Sequence, residues 1–279
     1  MDNRLLKYEF WKEHTAYYLN LFSGVLSKKD RAKKREYFAQ EIIKIFSRPI
    51  RWLDIGTGDG SKIFDIIHHI KECESTATIE LIVVEPSKYI ITELKEKLSK
   101  IEGVSFEIRN EKFSLEMLQP NTFDCVTFFH VAYYLANEQA EFKRIYEHAY
   151  NSLRPGGALL IQAVNENSDF QKLGHPSYSD WALGEHSFAL LKKISPRTTK
   201  ENFSTRLDIT DFLTQKDFIP ELEEKLLNLY RFTTQVDSAL PTKENREKFI
   251  SHMRELSEQN NNTFYLDFSD VVISLHKPN

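Results

Sequence analysis

A glycine-rich turn between a buried strand and an amphipathic segment constrains this chain more than any other feature. Residues 51–60 have the sequence Arg-Trp-Leu-Asp-Ile-Gly-Thr-Gly-Asp-Gly, so an apolar run ends in an acid and three glycines follow at alternate positions. Glycine is needed where the backbone takes a positive φ or approaches a ligand closely. The helix predicted from Ser61 offers free backbone N–H groups to a polar or anionic ligand. The stretch predicts a strand, a tight turn and a helix start, with either a ligand site or a simple turn between them.

Strand-like and helix-like segments alternate after residue 50. Further strands are predicted at 79–84, 104–108, 123–129 and 158–164, with helices from residue 61, over 87–100 and over 138–153, and a turn at 153–157. The strand at 123–129 is nearly all apolar, as expected for a central parallel strand. This alternation indicates a doubly wound parallel sheet with right-handed crossovers.

The two ends of the chain are predicted to cover that sheet. Residues 4–46 are expected to be helical, with a break over 23–30. Later segments predict helices over 181–194, 220–230 and 242–256, a weak strand over 202–208, a turn over 257–263 and a final strand over 264–275 that could form a hairpin arm. We therefore expect one domain over 1–279, with cap elements from 1–46 and about 166–263.

Composition indicates an ordinary soluble globular protein, with 41% hydrophobic and 28% charged residues. No apolar run reaches the roughly 18 residues that a membrane span requires. The first ten residues carry four charges and no apolar core, which excludes a secretory signal there. The chain has two cysteines and no disulfide framework, so we expect a reducing, cytoplasmic location.

The charge balance argues against a nucleic-acid partner. The net charge is −4, whereas a nucleic-acid binder usually shows a basic excess. The one basic cluster lies at residues 28–35 and is interpreted as a solvated helix face or, alternatively, as a phosphate-binding patch. We expect a small-molecule substrate, no nucleic acid, no membrane and a monomer.

Candidate ligand-binding residues end the predicted strands, because ligands of open parallel sheets bind at the carboxyl ends of the strands. Glu85 closes the second strand and could accept hydrogen bonds from both hydroxyls of a ribose, or be an exposed strand-end charge. Residues 110–114 follow the third strand and could reach an adenine. Phe129 and His130 end the fourth strand, so they are expected to face the reactive end of the ligand.

Four motifs resemble those of class I S-adenosylmethionine-dependent methyltransferases. They are Asp-Ile-Gly-Thr-Gly-Asp-Gly from residue 54, Val-Val-Glu-Pro-Ser from 83, Phe-Asp-Cys-Val-Thr-Phe-Phe-His from 123 and Leu-Arg-Pro-Gly-Gly-Ala-Leu-Leu-Ile from 153. A dinucleotide-binding motif would instead have glycine at position 61, where Ser61 stands. The resemblance implies a Rossmann-like, seven-stranded, mostly parallel α/β sheet whose last strand is antiparallel, with helices on both faces and a mainly helical substrate-binding cap.

This resemblance also implies S-adenosyl-L-methionine as cofactor and assigns its contacts. Gly56 and Gly58 would let the backbone approach the methionine part, and Asp54 would orient its ammonium group. Glu85 would hold the ribose. Ser114 would contact the adenine edge, and Phe129 would pack against the base or the sulfonium.

A further resemblance, to histamine N-methyltransferases, runs along the whole chain. It rests on Glu-Pro-Ser at 85–87, Tyr-Tyr at 133–134, residues 204–211 and the two late helices before a terminal strand. It implies that Asp30 holds a substrate ammonium group, that His130 replaces a glutamine, and that Asp267 or Phe268 replaces an asparagine. Ile90 stands where the family has a glutamine that contacts the cofactor. Because these polar groups differ, the resemblance implies a small amine and leaves histamine itself open.

The pocket walls and the base complete the predicted site. Aromatic faces attract a sulfonium or ammonium group, so the candidate walls, each of which could equally be core, are Tyr17, Tyr133, Tyr134 and Phe170. His130 could accept the proton of a protonated amine, be a buried hydrogen-bonded residue, or contact the cofactor carboxylate. No metal is expected, because the adjacent His68 and His69 point to different sides of one helix.

These residues predict methyl transfer from S-adenosyl-L-methionine to the nitrogen of a small amine by in-line displacement. One alternative is a methyltransferase that acts on an oxygen nucleophile or a protein side chain. Another is a non-catalytic cofactor-binding protein that works through its helical cap. A nucleic-acid base methyltransferase is less favoured, because His-Val-Ala-Tyr follows the fourth strand in place of an Asn/Asp-Pro-Pro-aromatic turn.

Overall fold

A seven-stranded sheet forms the centre of the computed structural model, which describes residues 28–45, 49–88, 90–136, 138–173, 183–215, 219–234 and 242–279. The strands are β1 (Ile50–Ile55), β2 (Ile79–Val84), β3 (Val104–Arg109), β4 (Phe123–Phe129), β5 (Leu153–Val164), β6 (Thr199–Phe203), β7 (Arg206–Asp208), β8 (Glu258–Asn260), β9 (Thr263–Asp267) and β10 (Asp270–His276). The helices are α1 (Lys28–Ile43), α2 (Ser61–Cys73), α3 (Ile91–Leu98), α4 (Ala132–Leu135), α5 (Gln139–Ser152), α6 (Asp169–Lys172), α7 (Gly184–Ile194), α8 (Thr210–Thr214), α9 (Pro220–Thr234) and α10 (Lys243–Leu256).

The strand order of the large sheet is β3-β2-β1-β4-β5-β10-β6. Strands β1 to β5 run parallel, and β10 pairs antiparallel with both β5 and β6. Every residue of β4 is buried, which agrees with its apolar sequence and its central position. The predicted fold class, a Rossmann-like and mostly parallel sheet with an antiparallel last strand, is confirmed.

Apolar cores lie on both faces of the sheet. Helices α1 and α2 cover one core, and α5, α7 and the cap elements cover the other. Of the predicted helical region 4–46, residues 1–27 lie outside the described part of the chain. The predicted break over 23–30 is too long, because α1 already begins at Lys28. Within the described ranges, no helix is both long and apolar enough to cross a bilayer.

The predicted turn at 153–157 is wrong, because these residues open strand β5. The cause is the C-terminal end of the chain, which continues alongside them. The Gly156 N–H donates to the Lys277 carbonyl at 3.1 Å, and the Lys277 N–H donates to the Gly157 carbonyl at 2.8 Å. A partner distant in sequence therefore draws an Arg-Pro-Gly-Gly segment into the sheet.

Two predicted strands, 202–208 and 264–275, are each split in two. Strands β6 and β10 belong to the large sheet, whereas β7 and β9 belong to a three-stranded antiparallel sheet of order β7-β9-β8. The Phe268 N–H donates to the Thr205 carbonyl at 2.7 Å. The two segments of the chain therefore stay paired where they pass from one sheet to the other. We call this place, residues 204–205 and 268–269, the strand bend.

The cap contains strands as well as the predicted helices. Residues 257–263 form a hairpin rather than a simple turn, with Asn261 at φ 48° and Asn262 at φ 66° between β8 and β9. Two consecutive positive φ values are typical of a type I′ hairpin turn, which asparagine tolerates. Strand β6 also lies inside the range predicted as cap, although it is the edge of the large sheet.

Candidate active site

The glycine turn after β1 has left-handed backbone at its alternate glycines, including Gly56 at φ 72° and Gly58 at φ 62°. A Cβ atom at Gly56 would lie 2.3 Å from Cγ2 of Val131, so this glycine is required by close packing. A Cβ atom at Gly58 would meet no atom within 4 Å. The backbone of Gly58 therefore faces open space beside the turn, as a ligand cradle requires.

Asp54 stabilises this turn through hydrogen bonds. Its Oδ2 accepts a hydrogen bond from the Thr57 hydroxyl at 2.6 Å, and its Oδ1 accepts one from the Thr127 hydroxyl. Thr127 in turn accepts a hydrogen bond from the Trp52 ring N–H at 2.8 Å. Burial raises the pKa of Asp54 to about 6, against the opposing hydroxyl hydrogen bonds. The side chain thus fixes the turn to β4, and its contact with the methionine ammonium group stays a prediction.

Glu85 lies beside the glycine turn at the end of β2. Its Oε2 accepts the Gly58 N–H at 2.9 Å and its Oε1 accepts the Ser87 N–H at 2.8 Å. Asn110 donates to the Glu85 carbonyl at 2.8 Å and so joins the ends of β2 and β3. A carboxylate can accept about four hydrogen bonds, so Glu85 retains two lone pairs for the hydroxyls of a ribose.

A group that we call the polar network lies beyond the ends of β4 and β5. Its members come from four elements and from the loop after β4, and they are Lys34, Lys62, His130, Gln162 and Asp270. Gln162 connects them: its Oε1 accepts from Lys62 at 2.8 Å, and its amide nitrogen donates to Asp270 at 2.7 Å. The same amide nitrogen lies 2.7 Å from Nε2 of His130. Lys34 forms an ion pair with Asp270 and donates to the Thr205 hydroxyl at 2.9 Å.

Burial and charge shift the protonation equilibria of this network. Burial alone would raise the pKa of Asp270, but Lys34 and His130 lower it well below its usual range. Burial, together with nearby Lys34, lowers the pKa of Lys62 to about 7. Burial also lowers the pKa of His130, although Asp270 opposes this effect. The imidazole is therefore neutral at pH 7.

His130 is fixed in an unusual backbone conformation, with φ 56°. Its N–H donates to the Gln162 carbonyl at 2.9 Å. Its Nε2 lies beside the Gln162 amide and 3.3 Å from Oδ1 of Asp270. Because Oε1 of Gln162 accepts from Lys62, its amide nitrogen is a donor, and a hydrogen bond from it to Nε2 of His130 would occupy the lone pair of that atom. The base role stays a prediction.

Asp267 and two aromatic rings lie near the strand bend, in a group that we call the acceptor side, and both rings belong to the buried core. The Asp267 N–H donates to Asp169 at 2.7 Å, and the Ser269 hydroxyl donates to Oδ2 of Asp267 at 2.8 Å. Oδ1 of Asp267 is buried and has no hydrogen-bond partner among the described residues. The rings of Phe170 and Phe268 lie 5.2 Å apart between their centroids. Both positions considered for the family asparagine, 267 and 268, thus lie here.

The positions of the remaining predicted residues do not test the roles predicted for them. Ile90 is 5% exposed just before α3, Ser114 is half-buried after β3, and Tyr134 is half-buried against the core. The Phe129 ring packs on Phe38 of α1 at 4.6 Å, so its predicted contact with the cofactor base has no support in the geometry. Tyr17 and the side chains of Asp30 and Tyr133 lie outside the part of the chain that the structure describes, and those predictions stay untested.

Sequence reasoning missed Lys34, Lys62, Gln162 and Asp270. Lys34 belongs to the basic cluster interpreted as a solvated face, yet it is only 7% exposed because Asp270 neutralises it. Gln162 and Asp270 are polar residues within or beside apolar strand runs. A polar residue at a position predicted to be buried is informative, and this signal could have identified both.

The comparisons with known proteins agree with this geometry. Residues 29–213 match a family model described as a methyltransferase domain, which covers more than half of the chain. The fold and the glycine-turn site define a class I methyltransferase. The chain belongs to the S-adenosylmethionine-dependent methyltransferase family, and S-adenosyl-L-methionine is its cofactor.

Solved structures with low sequence identity share the fold. The YcgJ protein of Bacillus subtilis is 14% identical, with a TM-score of 0.54 over 88% of this chain and 99% of that one. The [4+2]-cyclase SpnF is also 14% identical, with a TM-score of 0.52 over 97% and 95% of the two chains. No curated protein matches the chain.

The residues present fit this cofactor. Open space at Gly58 and the two remaining lone pairs of Glu85 suit the backbone approach and the ribose contact. When bound, S-adenosyl-L-methionine supplies an electrophilic methyl group. The protein's contribution is to hold cofactor and acceptor in line and to exclude water.

Proposed function

We propose that this methyltransferase transfers a methyl group to the nitrogen of a small amine. The observation that carries the proposal is the buried Oδ1 of Asp267, which has no hydrogen-bond partner among the described residues. A buried acceptor without a donor is unfavourable by about 1 to 3 kcal/mol. A protonated amine would supply both the missing donor and a compensating charge.

Neighbouring groups on the acceptor side favour the same ligand. Asp169 adds a second carboxylate beside Asp267, and the paired rings of Phe170 and Phe268 lie nearby in the chain. Aromatic faces attract ammonium groups. The resemblance of residues 85–87, 133–134 and 204–211 to histamine N-methyltransferases also supports an amine.

Proton removal is the chemical task left to the protein. A protonated amine cannot attack the methyl group, so its proton must first move to a base. His130 is neutral at pH 7 because burial lowers its pKa. It lies beside Asp270, three positions after Asp267, at the strand bend. We propose that His130 is the base that accepts this proton.

Matched acceptors test the choice of nucleophile. Purified enzyme with S-adenosyl-L-methionine is assayed for S-adenosyl-L-homocysteine release with 2-phenylethylamine and 2-phenylethanol, with tyramine and tyrosol, and with histamine. Turnover of the amines alone is expected. Turnover of the alcohols alone would contradict the proposal.

Substitution of Asp267 tests the ammonium contact. In Asp267→Asn we expect KM for the amine to rise about tenfold, since an isosteric amide removes the charge from a charge-assisted contact, while kcat changes little. The control is Asp211→Asn, an exposed acid of α8, which should leave KM unchanged. An unchanged KM in Asp267→Asn would remove this residue from the acceptor pocket.

An oxygen nucleophile is the second candidate. It is favoured by the cationic Lys34 and Lys62 near the ends of β4 and β5, where positive charge would stabilise an oxyanion. The matched acceptors distinguish it from the amine.

A further inference from the structure

We infer that Lys62 binds the carboxylate group at the methionine end of the cofactor. This inference rests on the cofactor of the family and is independent of the amine acceptor. The sequence did not single out Lys62, and its position in the fold is the reason to assign it.

Lys62 lies in the first turn of α2, two residues after the glycine turn. Its side chain reaches across β4: Nζ lies 5.1 Å from the centroid of the Phe129 ring and donates to Oε1 of Gln162 on β5 at 2.8 Å. The ammonium group therefore lies near the carboxyl ends of β4 and β5, on the helix that follows the glycine turn.

The charge of Lys62 is the least compensated in this region. Lys34 is paired with Asp270, and Arg35 is paired with Asp65. Among the residues with described positions, none places a carboxylate oxygen within 4.0 Å of the Lys62 ammonium group. Its hydrogen-bond acceptor is a neutral amide. Lys62 is half-buried, so an ammonium group there with no directly paired carboxylate is costly, and an anionic ligand would relieve that cost.

The predicted orientation of the cofactor indicates which anionic group would lie near Lys62. Glu85 at the end of β2 fixes the ribose, so the adenine lies towards β3 and the methionine part lies towards β1 and β4. The one carboxylate of S-adenosyl-L-methionine is at that end. Asp54 lies close enough to Lys62 for each to shift the other's pKa. The acid and the base together match the ammonium and carboxylate groups of a zwitterion.

Two ligands that differ only in the carboxylate test this assignment. S-adenosyl-L-homocysteine is compared by isothermal titration calorimetry with its decarboxylated analogue, 5′-(3-aminopropylthio)-5′-deoxyadenosine. In Lys62→Met we expect the Kd of S-adenosyl-L-homocysteine to rise about 10- to 100-fold, as for loss of a charge-assisted hydrogen bond, and that of the analogue to stay within about threefold.

A matched control comes from the same helix. Lys71 donates to the Ala77 carbonyl near the other end of α2, and Lys71→Met should change neither Kd. Equal weakening of both ligands in Lys62→Met would overturn the assignment, because Lys62 would then shape the pocket without contacting the carboxylate. Unchanged binding of both ligands would overturn it too. If neither ligand binds even the unsubstituted protein, the cofactor assignment itself fails.

A pH series supplies a second test that does not need Lys62→Met to fold. The charged groups that face Lys62 are Lys34 and Arg35 of α1, Asp54 of β1, His130 after β4 and Asp270 of β10. The preference for S-adenosyl-L-homocysteine over its analogue should be greatest near pH 6 and fall above pH 7 as free Lys62 loses its proton. In Lys62→Arg the preference should persist to pH 9, because arginine stays protonated. A pH-independent preference in the unsubstituted protein would contradict the assignment.

Discussion

Asp270 is the residue on which the polar network converges. It accepts hydrogen bonds from Lys34 and Gln162 and lies 3.3 Å from Nε2 of His130. These contacts join α1, β5 and the loop after β4 to the start of β10. A charge in this position ties the stability of the fold to pH.

Asp270→Asn should therefore destabilise the protein in a pH-dependent way. The pKa of Asp270 is depressed in the folded state, so its contribution to stability is present above about pH 4, the unfolded value, and is lost as pH falls towards the folded value. At pH 7 the substitution should lower the free energy of unfolding by about 3 kcal/mol, because it leaves Lys34 buried without a counter-ion. The difference from the unsubstituted protein should shrink below pH 4.

Urea unfolding at pH 7, 5 and 3 measures this effect. Asp208→Asn is the control, because Asp208 is exposed and its side-chain oxygen accepts the Thr210 N–H, a bond that asparagine can keep. Its stability should stay close to that of the unsubstituted protein at each pH. A deficit in Asp270→Asn as large at pH 3 as at pH 7 would contradict the assigned ion pair.

Residues of the site were predictable where they end a strand beside the glycine turn. Asp54 and Glu85 could be identified because local sequence fixes both the strand and its end. Lys34 and Asp270 could not be paired, because they are 236 positions apart and meet only through the tertiary fold. Lys34 consequently resembled any other lysine of a basic helix.

At the scale of elements, Gly56 and Gly58 of the turn differ in the space that each leaves for a Cβ atom. Gly56 has no room for a Cβ atom because Val131 is 2.3 Å away, whereas Gly58 has open space. The constraint at Gly58 is thus its left-handed backbone and the ligand that approaches it.

Gly58→Ala should separate cofactor affinity from stability. A left-handed alanine costs about 1 to 2 kcal/mol, so the fold should survive. The new methyl group would project into the cradle and weaken S-adenosyl-L-homocysteine binding about tenfold or more, since nearby overpacking typically costs 1 to 3 kcal/mol. Calorimetry and urea unfolding measure the two effects. Unchanged affinity would mean that the cofactor does not approach Gly58.

Elements with strong local signals were predicted well, and those set by distant partners were not. The strands at 79–84 and 123–129 have the predicted bounds because mostly apolar runs define them. The two late strands were predicted as unbroken, because no residue in either marks the change of sheet. The hairpin at 258–267 did have a signal, the Asn-Asn pair at 261–262, which is compatible with a type I′ turn.

At the scale of the molecule, cofactor binding should stabilise the whole fold. The glycine turn, Glu85 and Asn110 join β1, β2 and β3, so a ligand held there binds only the native state. S-adenosyl-L-homocysteine at about 100 times its Kd should add about 2.7 kcal/mol, equivalent to roughly 5 to 10 °C in Tm for a chain of this size.

Differential scanning fluorimetry measures this shift. Glu85→Gln should reduce it, because an amide cannot accept both backbone N–H groups and two ribose hydroxyls. Glu80→Gln, an exposed position on the same strand, is the control and should retain it. A full shift in Glu85→Gln would refute the ribose contact.

The strand bend lies between two groups of residues on the same pair of chain segments, the polar network and the acceptor side. Asp270 lies on the large-sheet side of residues 268–269, with the polar network, and Asp267 lies on the small-sheet side, with Phe170 nearby. Under the proposed acceptor role of Asp267, substitutions in β7, β8 and β9 would alter which molecule is accepted and leave the polar network unchanged. During evolution, related enzymes could then come to methylate different molecules through changes in the three-stranded sheet alone.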